Sequence, residues 1–371
     1  GAASSVSEAS PSADALNPAA SGAAQRPILD VSYLSLIGTT GEAGWGHVLN
    51  GGLTWPTRFG VWSGSLHLIS SPFDAVDFGT MFALNVSLAK DLFPKLLVGL
   101  GVQSQFGGDD WGLGADLGFV HLPGDVGFLK DLRWGLALRG LGVGYTPVDD
   151  QTAAPEPFTP AFGLQADLLQ REKVRLGAHA DVSLPGFQNL RFSLGTELAF
   201  LDKVFLHLGS SWDVAEMTQG EIRDLPLSFG ASVKFGTSVK EKGSEVKTTL
   251  AAAPLQDGIW ATGLGANLAI GLIDRRAPDI SLDTAEQHIS PNLDGVQDDL
   301  VRSLGITDER FIKGYRFLVF DGSGAQVREI VNKDERPENV SFKNVFRRVA
   351  YVETGITAPD QVRWDGRPDT G

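Results

Sequence analysis

Residues Val174–Phe200 read "VRLGAHADVSLPGFQNLRFSLGTELAF", and the period of that stretch decides the fold. From Val174 to Leu184, Val174, Leu176, Ala178, Ala180, Val182 and Leu184 alternate with Arg175, Gly177, His179, Asp181 and Ser183. From Leu190 to Phe200, Leu190, Phe192, Leu194, Leu198 and Phe200 alternate with Arg191, Ser193, Gly195, Glu197 and Ala199. Side chains change face at every residue of a strand, so each run is a two-faced strand, and helical spacing fits neither.

The chemistry of the two faces then separates a membrane barrel from a soluble sandwich. One face is continuously apolar. The other carries Gly, Ala, Ser and Asn with scattered charges, where a soluble protein usually presents Lys, Glu and Thr. Small residues and pairable charges suit a crowded barrel interior, and a continuous apolar wall suits lipid. Backbone polar groups have no partners in lipid, so such a sheet must close.

The same pattern recurs in Val76–Leu88 and Trp260–Leu272. Extended over the chain it predicts fourteen strands, near 28–37, 47–57, 58–71, 76–91, 95–107, 110–122, 132–146, 160–171, 173–185, 189–202, 204–215, 223–236, 245–254 and 258–273. An even count returns both ends of an outer-membrane barrel to the periplasm. Trp55, Trp62, Trp111, Trp134, Trp212 and Trp260 fall near strand ends, as aromatic girdles do. The other reading of these tryptophans is the core of a large soluble β protein.

Composition agrees with the membrane reading. Glycine, at 45 of 371 residues, is well above ordinary usage, as a small-residue lumen requires. The absence of cysteine excludes a disulfide scaffold and cysteine-ligated metal centres. A net charge of −14 gives no sign of a nucleic-acid partner. No run approaches the apolar length of a membrane helix. The opening "GAASSVSEASPSADALNPAA" reads either as a mature end after signal cleavage or as a polar leader. Charge becomes denser after "LIDRRAPD" (Leu272–Asp279). The expected domains are therefore a leader over residues 1–26, a barrel over 27–276 and a C-terminal domain over 277–371.

No nucleophile elbow, zinc-protease helix, phosphate loop or dinucleotide fingerprint is present, so no enzyme and no cofactor are expected. "GVGYTPVDD" (Gly142–Asp150) brings two carboxylates to a loop without a partner at useful spacing. By alternation Arg139, Asp167, Arg175, His179, Asp181, Arg191, Glu197 and His207 point inward. They would either line a polar channel or pack the lumen as a paired network, the latter because buried charges need partners.

"SADALNPAASG" (Ser12–Gly22) followed by "LDVSYLSLIG" (Leu29–Gly38) resembles the start of FadL-like and PorV/PorQ-like outer-membrane proteins. The resemblance implies a fourteen-stranded barrel whose N-terminal segment, carrying Asn17, Pro18 and Ala19, folds inside as a plug. It implies outer-membrane lipid as surroundings. In the FadL branch it implies a hydrophobic ligand, and in the PorV branch a protein partner in a secretion assembly. Long extracellular insertions are not evident, which favours the compact scaffold-like branch, with FadL-like transport of hydrophobic or small solutes as the alternative.

The C-terminal stretch changes pattern. "LVF" (Leu318–Phe320), "DGSG" (Asp321–Gly324) and "AQVREIV" (Ala325–Val331) predict a hairpin, and "VAYVETG" (Val349–Gly355) and "QVRWDG" (Gln361–Gly366) predict further strand and turn. Together with "ISPNLDGVQDDL" (Ile289–Leu300) these resemble the immunoglobulin-like β-sandwich of the flagellar hook-cap protein FlgD. That resemblance implies a closing hairpin after "WDG", and the domain should be periplasmic because the last barrel strand should end on that side. The sheet here would be short of its last strands, either by truncation or with an open edge for another chain. Asn292, Asp294 and Asp298 have oxygens at spacings loosely like a calcium loop, but the later bidentate Glu is missing. An entry turn shaped by Pro291 and Gly295 is the better reading.

Overall fold

The structure is a computed structural model. It describes residues 4–6, 9–38, 44–71, 79–107, 110–143, 158–219, 226–237, 243–255, 259–273, 277–283, 285, 287–308, 311–334, 336 and 341–368. The chain divides into two compact units, Gly1–Ile273 and Asp274–Gly371. The carboxylate loop singled out at 142–150 lies outside the described residues from 144 onward.

The first unit is a closed antiparallel barrel of fourteen strands. They are β1 (Ile28–Gly38), β2 (Trp45–Pro56), β3 (Val61–Ser71), β4 (Gly79–Phe93), β5 (Leu96–Gly107), β6 (Asp110–Val126) and β7 (Leu129–Val143). The circuit continues through β8 (Thr159–Gln170), β9 (Val174–Ser183), β10 (Arg191–Phe200), β11 (Val204–Asp213), β12 (Leu227–Thr237), β13 (Ser244–Pro254) and β14 (Ile259–Ala269). Each strand pairs with its sequence neighbours, and β1 pairs with β14 from Ile28↔Ala269 to Gly38↔Ile259, which closes the wall.

Alternation sets what each face carries. Leu100, Val102, Leu113, Leu194, Leu206, Leu208 and Leu250 are exposed on the outer wall. Their sequence neighbours, which alternate inward, are mostly small or polar (Gly99, Gly101, Gln103, Ser193, Gly195, His207, Gly209, Thr249), with Phe205 the apolar one. An outer wall of this kind, closed so that no backbone edge is left in lipid, is the build of a transmembrane barrel. No described helix is long and apolar enough to cross a membrane, which bears only on helical spans.

The two ends of the barrel differ. At the end where β1 begins and β14 finishes, the connections 57–60, 94–95, 127–128, 171–173 and 201–203 are two to four residues long and 238–243 is six. Leu201 and Asp202 both take positive φ, 52° and 53°, which gives the tight primed turn that matches strand twist between β10 and β11. Connections at the opposite end range from two residues (108–109) and four (255–258) to seven (72–78 and 184–190), thirteen (214–226, containing α2, Val214–Gln219) and fifteen (144–158). Short turns at one end and longer loops at the other is the usual asymmetry of outer-membrane barrels. Trp55 and Trp62 are cross-strand partners at the short-turn end, with Trp134 on the same side. Trp111, Trp212 and Trp260 stand at the long-loop end, and Trp45 joins them.

The N-terminal segment contains α1 (Pro11–Asp14), capped by the Ser10 hydroxyl, and a single 3-10 turn at Ala20–Ala23. Its side chains pack against inward-facing residues of the wall. Val6, Ala19, Leu97 and Val120 form one buried apolar cluster, so a small core lies between this segment and the β5–β6 wall.

The second unit has a three-stranded sheet of β15 (Asp279–Leu282), β16 (Leu300–Thr307) and β19 (Gln361–Trp364). It also has a hairpin of β17 (Gly314–Phe320) and β18 (Gln326–Lys333). Asp321 makes the hairpin turn by accepting from the amides of Ser323 (2.8 Å) and Ala325 (2.9 Å), with Gly324 at φ 85°. The expected strand over Val349–Gly355 is not formed. Val349 and Ala350 end α3 (Phe342–Ala350) instead. Phe342, Val345, Phe346 and Val349 recur at helical spacing, and Ser341 caps the helix by accepting from the Asn344 amide, so helix period wins over strand composition.

Candidate functional site

The barrel lumen is the candidate site, and glycine placement organises it. The backbone of Pro18 occupies the place of a side chain at Gly99, and the carboxamide of Asn17 that of one at Gly118. Pro11 fills the space over Gly52, Val6 and Asn17 that over Gly135, and Ser5 that over Gly163. Gly99 pairs with Gly118, and Gly135 pairs with Gly163, so strand register gathers distant glycines into one bare strip. A chain segment can approach a sheet this closely only where Cβ is missing.

Asn17 is fully buried. Its Nδ2 donates to the carbonyls of Phe119 (3.3 Å) and Leu136 (3.4 Å), and its Oδ1 accepts from the Ala19 amide (3.0 Å). Ser5 donates through its amide (2.8 Å) and its hydroxyl (2.7 Å) to Oδ1 of Asp181 on β9. Asp14, also buried, accepts from the amide and hydroxyl of Ser21 and is hydrogen-bonded by Ser63. Burial outweighs these bonds and pushes the Asp14 carboxyl from its ordinary 3.8 up to about 7.

Across from that strip, on β8 to β13, lies a chain of charges. Arg175 bridges Asp167 (3.1 Å) and Glu197 (2.6 Å). Glu197 is also approached by His207 (3.5 Å) and by Lys247 (3.7 Å). His207 continues to Ser232 (3.0 Å), and Ser232 to Thr249 (2.9 Å). Lys247 also lies 4.2 Å over the ring of Phe205. The side chains of Arg175 and Glu197 keep 26% exposure each and Lys247 keeps 33%, whereas Asp167 and Ser232 are buried, so this side of the lumen is accessible from Arg175 to Lys247 and covered beyond. On the glycine side Ser63 and Asp116 keep 4% and 7%.

Four of the eight expected lumen residues therefore meet directly: Asp167, Arg175, Glu197 and His207. Asp181 serves the N-terminal segment instead, and the His179 ring lies where Gly195 leaves room. Arg191 pairs with Asp213 at the long-loop end (2.8 Å). Arg139 precedes Gly140 at a bulge in β7, where the Gly140 amide donates to Asp116 (2.8 Å). Lys247, Asp116 and Asp14 were not singled out from the sequence. Period-2 counting in "SEVKTTLAAAP" and "DWGLGADLGFV" places the first two inward. Asp14 has no such signal.

A second feature lies on the outer wall. Phe229, Ala252, Thr262 and Ser35 are successive cross-strand partners on β12, β13, β14 and β1. The three small residues make a hollow of about 600 Å³ bordered by Tyr33, Phe229, Leu250 and Leu264.

In the C-terminal unit the carboxylates proposed for calcium are turned onto their own loop. Asp298 accepts from the amides of Leu293 and Gly295 (2.7 Å each), and Asp294 from that of Val296 (2.8 Å). The Asn292 side chain and the Val296 amide hold the Asp294 carboxyl below the ordinary range. Among the described residues no group of three or more His, Asp or Glu side chains is placed to hold a metal. The loop meets the "WDG" turn: Pro291 lies against Gly366, which takes φ 77°, and Asp299 pairs with Arg363 (2.8 Å).

No family model matches the sequence, and no curated protein matches it. Among solved structures the chain is similar to the toluene transporter TbuX of Ralstonia pickettii, at 13% identity and a TM-score of 0.44, over 72% of this chain and 95% of that one. It is also similar to the toluene transporter TodX of Pseudomonas putida, at 12% identity and 0.43, over 72% and 94%. A FadL homologue of Pseudomonas aeruginosa gives 16% and 0.40, over 72% and 94%.

Proposed function

We propose that this chain is a transport channel of the bacterial outer membrane, FadL-like in plan, with the N-terminal segment as a plug. The observation that carries the reading is the division of the lumen. The segment packs tightly on the glycine strip and leaves Arg175, Glu197 and Lys247 of the charged strip partly accessible. A scaffold would gain nothing from a half-wet lumen lined by both signs of charge. The barrel's own geometry thus supports transport over the partner role in a secretion assembly that the compact loops suggested.

The wet side is lined by Arg175, Glu197, His207, Lys247 and hydroxyls, which suits small polar solutes. Hydrophobic cargo is a second reading, motivated by the apolar hollow between Phe229 and Tyr33. The strands beneath that hollow are paired without a break, so it would receive an apolar molecule from the membrane side. The C-terminal unit is read as an immunoglobulin-like domain on the periplasmic side. Support comes from the meeting of its two motifs at Pro291 and Gly366, and from β14 finishing at the short-turn end.

Swelling of liposomes that contain the full-length chain tests the reading. Small sugars and amino acids should enter, and faster when Gly118→Val displaces the plug. No entry with either chain would refute transport of polar solutes. Toluene binding that is lost in Phe229→Ala would decide for hydrophobic cargo.

A further inference from the structure

Between α1 and the wall lies a cavity of about 10 Å³, room for a single water or a bare ion. Its polar lining is Asp14, Asp116, Ser63, Ser65, Asn85 and Ser87, and the charge of Arg139 acts on Asp116 from outside that lining. Register builds it: Ser63, Ser87, Gly101 and Asp116 are successive partners across β3, β4, β5 and β6. Gly101 leaves the gap, and a side chain there would meet Asp116 at 3.4 Å and Pro18 at 3.4 Å. Ser87 is 6% exposed, and its hydroxyl, facing this cavity, has no hydrogen-bond partner among the described residues. A buried hydroxyl without a partner is costly and marks a place where something binds.

We propose that this cavity holds one divalent cation, of calcium chemistry, which fastens the N-terminal segment to the barrel wall. Every donor is an oxygen, as hard cations require. Two carboxylates from different elements, one on the segment and one on β6, are neutralised by a double charge. Calcium takes six to eight oxygens in flexible geometry, and six oxygen-bearing residues line the cavity. Magnesium keeps several waters in a strict octahedron, and the cavity has no room for them.

Calorimetric titration of the full-length chain in detergent with calcium chloride, after chelator treatment, tests the site. One calcium should bind. Asp116→Asn should weaken binding by about 100-fold, and Ser87→Ala, which folds with a smaller change, by about tenfold, in keeping with the effect of losing metal-site partners. Asp298→Asn, in the other candidate loop, should bind as the parent does. Calcium should also slow protease cleavage of the N-terminal segment, and magnesium at equal concentration should not. Binding that persists in Asp116→Asn and Ser87→Ala, binding lost in Asp298→Asn, or no binding at all would overturn the proposal, the last leaving a single water as the occupant.

Discussion

The carboxamide of Asn17 takes the space that a side chain at residue 118 would need, and Gly118 leaves that space free. From that seat Asn17 bonds two adjacent strands at Phe119 and Leu136. The contact joins a residue in the N-terminal segment to one a hundred positions away in β6.

Gly118→Val should therefore expel the segment while leaving the strand ladder intact. Overpacking of this kind costs about 1–3 kcal/mol, and undocking relieves it more easily than unfolding the barrel does. Limited proteolysis should show cleavage before residue 26 in the variant and protection in the parent, with equal resistance of both barrels to heat in detergent.

Asn17→Leu is the complementary change. It keeps the volume and removes the donors to Phe119 and Leu136 and the acceptor for Ala19. Leaving buried groups unsatisfied costs about 1–3 kcal/mol, so amide exchange over residues 13–23 should speed up by roughly one to two orders of magnitude. Exchange in β10 and β11 should be unchanged.

Docking should depend on pH through Asp14. Its docked carboxyl is raised to about 7 against an ordinary 3.8, so the docked state holds a proton that the free segment has lost. Docking is then at full strength below pH 4, weakens as pH rises from 4 to 7, and is level above. The total loss is on the order of a few kcal/mol by linkage. Protease protection measured from pH 4 to 8 in chelator should fall over that window, and Asp14→Asn should flatten the profile.

Arg175 and Glu197 should be coupled. Both are about a quarter exposed, so solvent discounts the pair to about 1 kcal/mol. A double-mutant cycle with Arg175→Met and Glu197→Gln, read from chemical unfolding, should return that coupling. Single Glu197→Gln should also reduce preference for cations over anions in bilayer recordings, since Lys247 and Arg175 then lack their carboxylate.

The barrel was legible because period-2 alternation is a local property, and fourteen strands were countable one by one. The expectation that the residues from Arg175 to His207 face inward rests on the same count. What the count did not show is which glycines act together. Gly99, Gly118, Gly135 and Gly163 lie on four adjacent strands and form one strip only through register, which no single stretch of sequence contains. Asp14 was hidden for the same reason, because its burial comes from β3 and from Ser21 rather than from its neighbours in a pattern. Val349–Gly355 misled because Val and Tyr favour strands, whereas the spacing that makes α3 begins earlier, at Phe342.

A disulfide trap tests the account most directly, and the parent chain has no cysteine to interfere. Ser5 and Asp181 are in hydrogen-bond contact, so cysteines at both positions should cross-link under mild oxidation if the segment lies in the lumen. Single-channel current should then be read from the Ser5→Cys, Asp181→Cys chain in oxidised and reduced form. The account predicts a cross-link, a small current in the oxidised channel, and a larger one once reductant frees the plug. No cross-link, or a membrane that stays silent in both states, would contradict it.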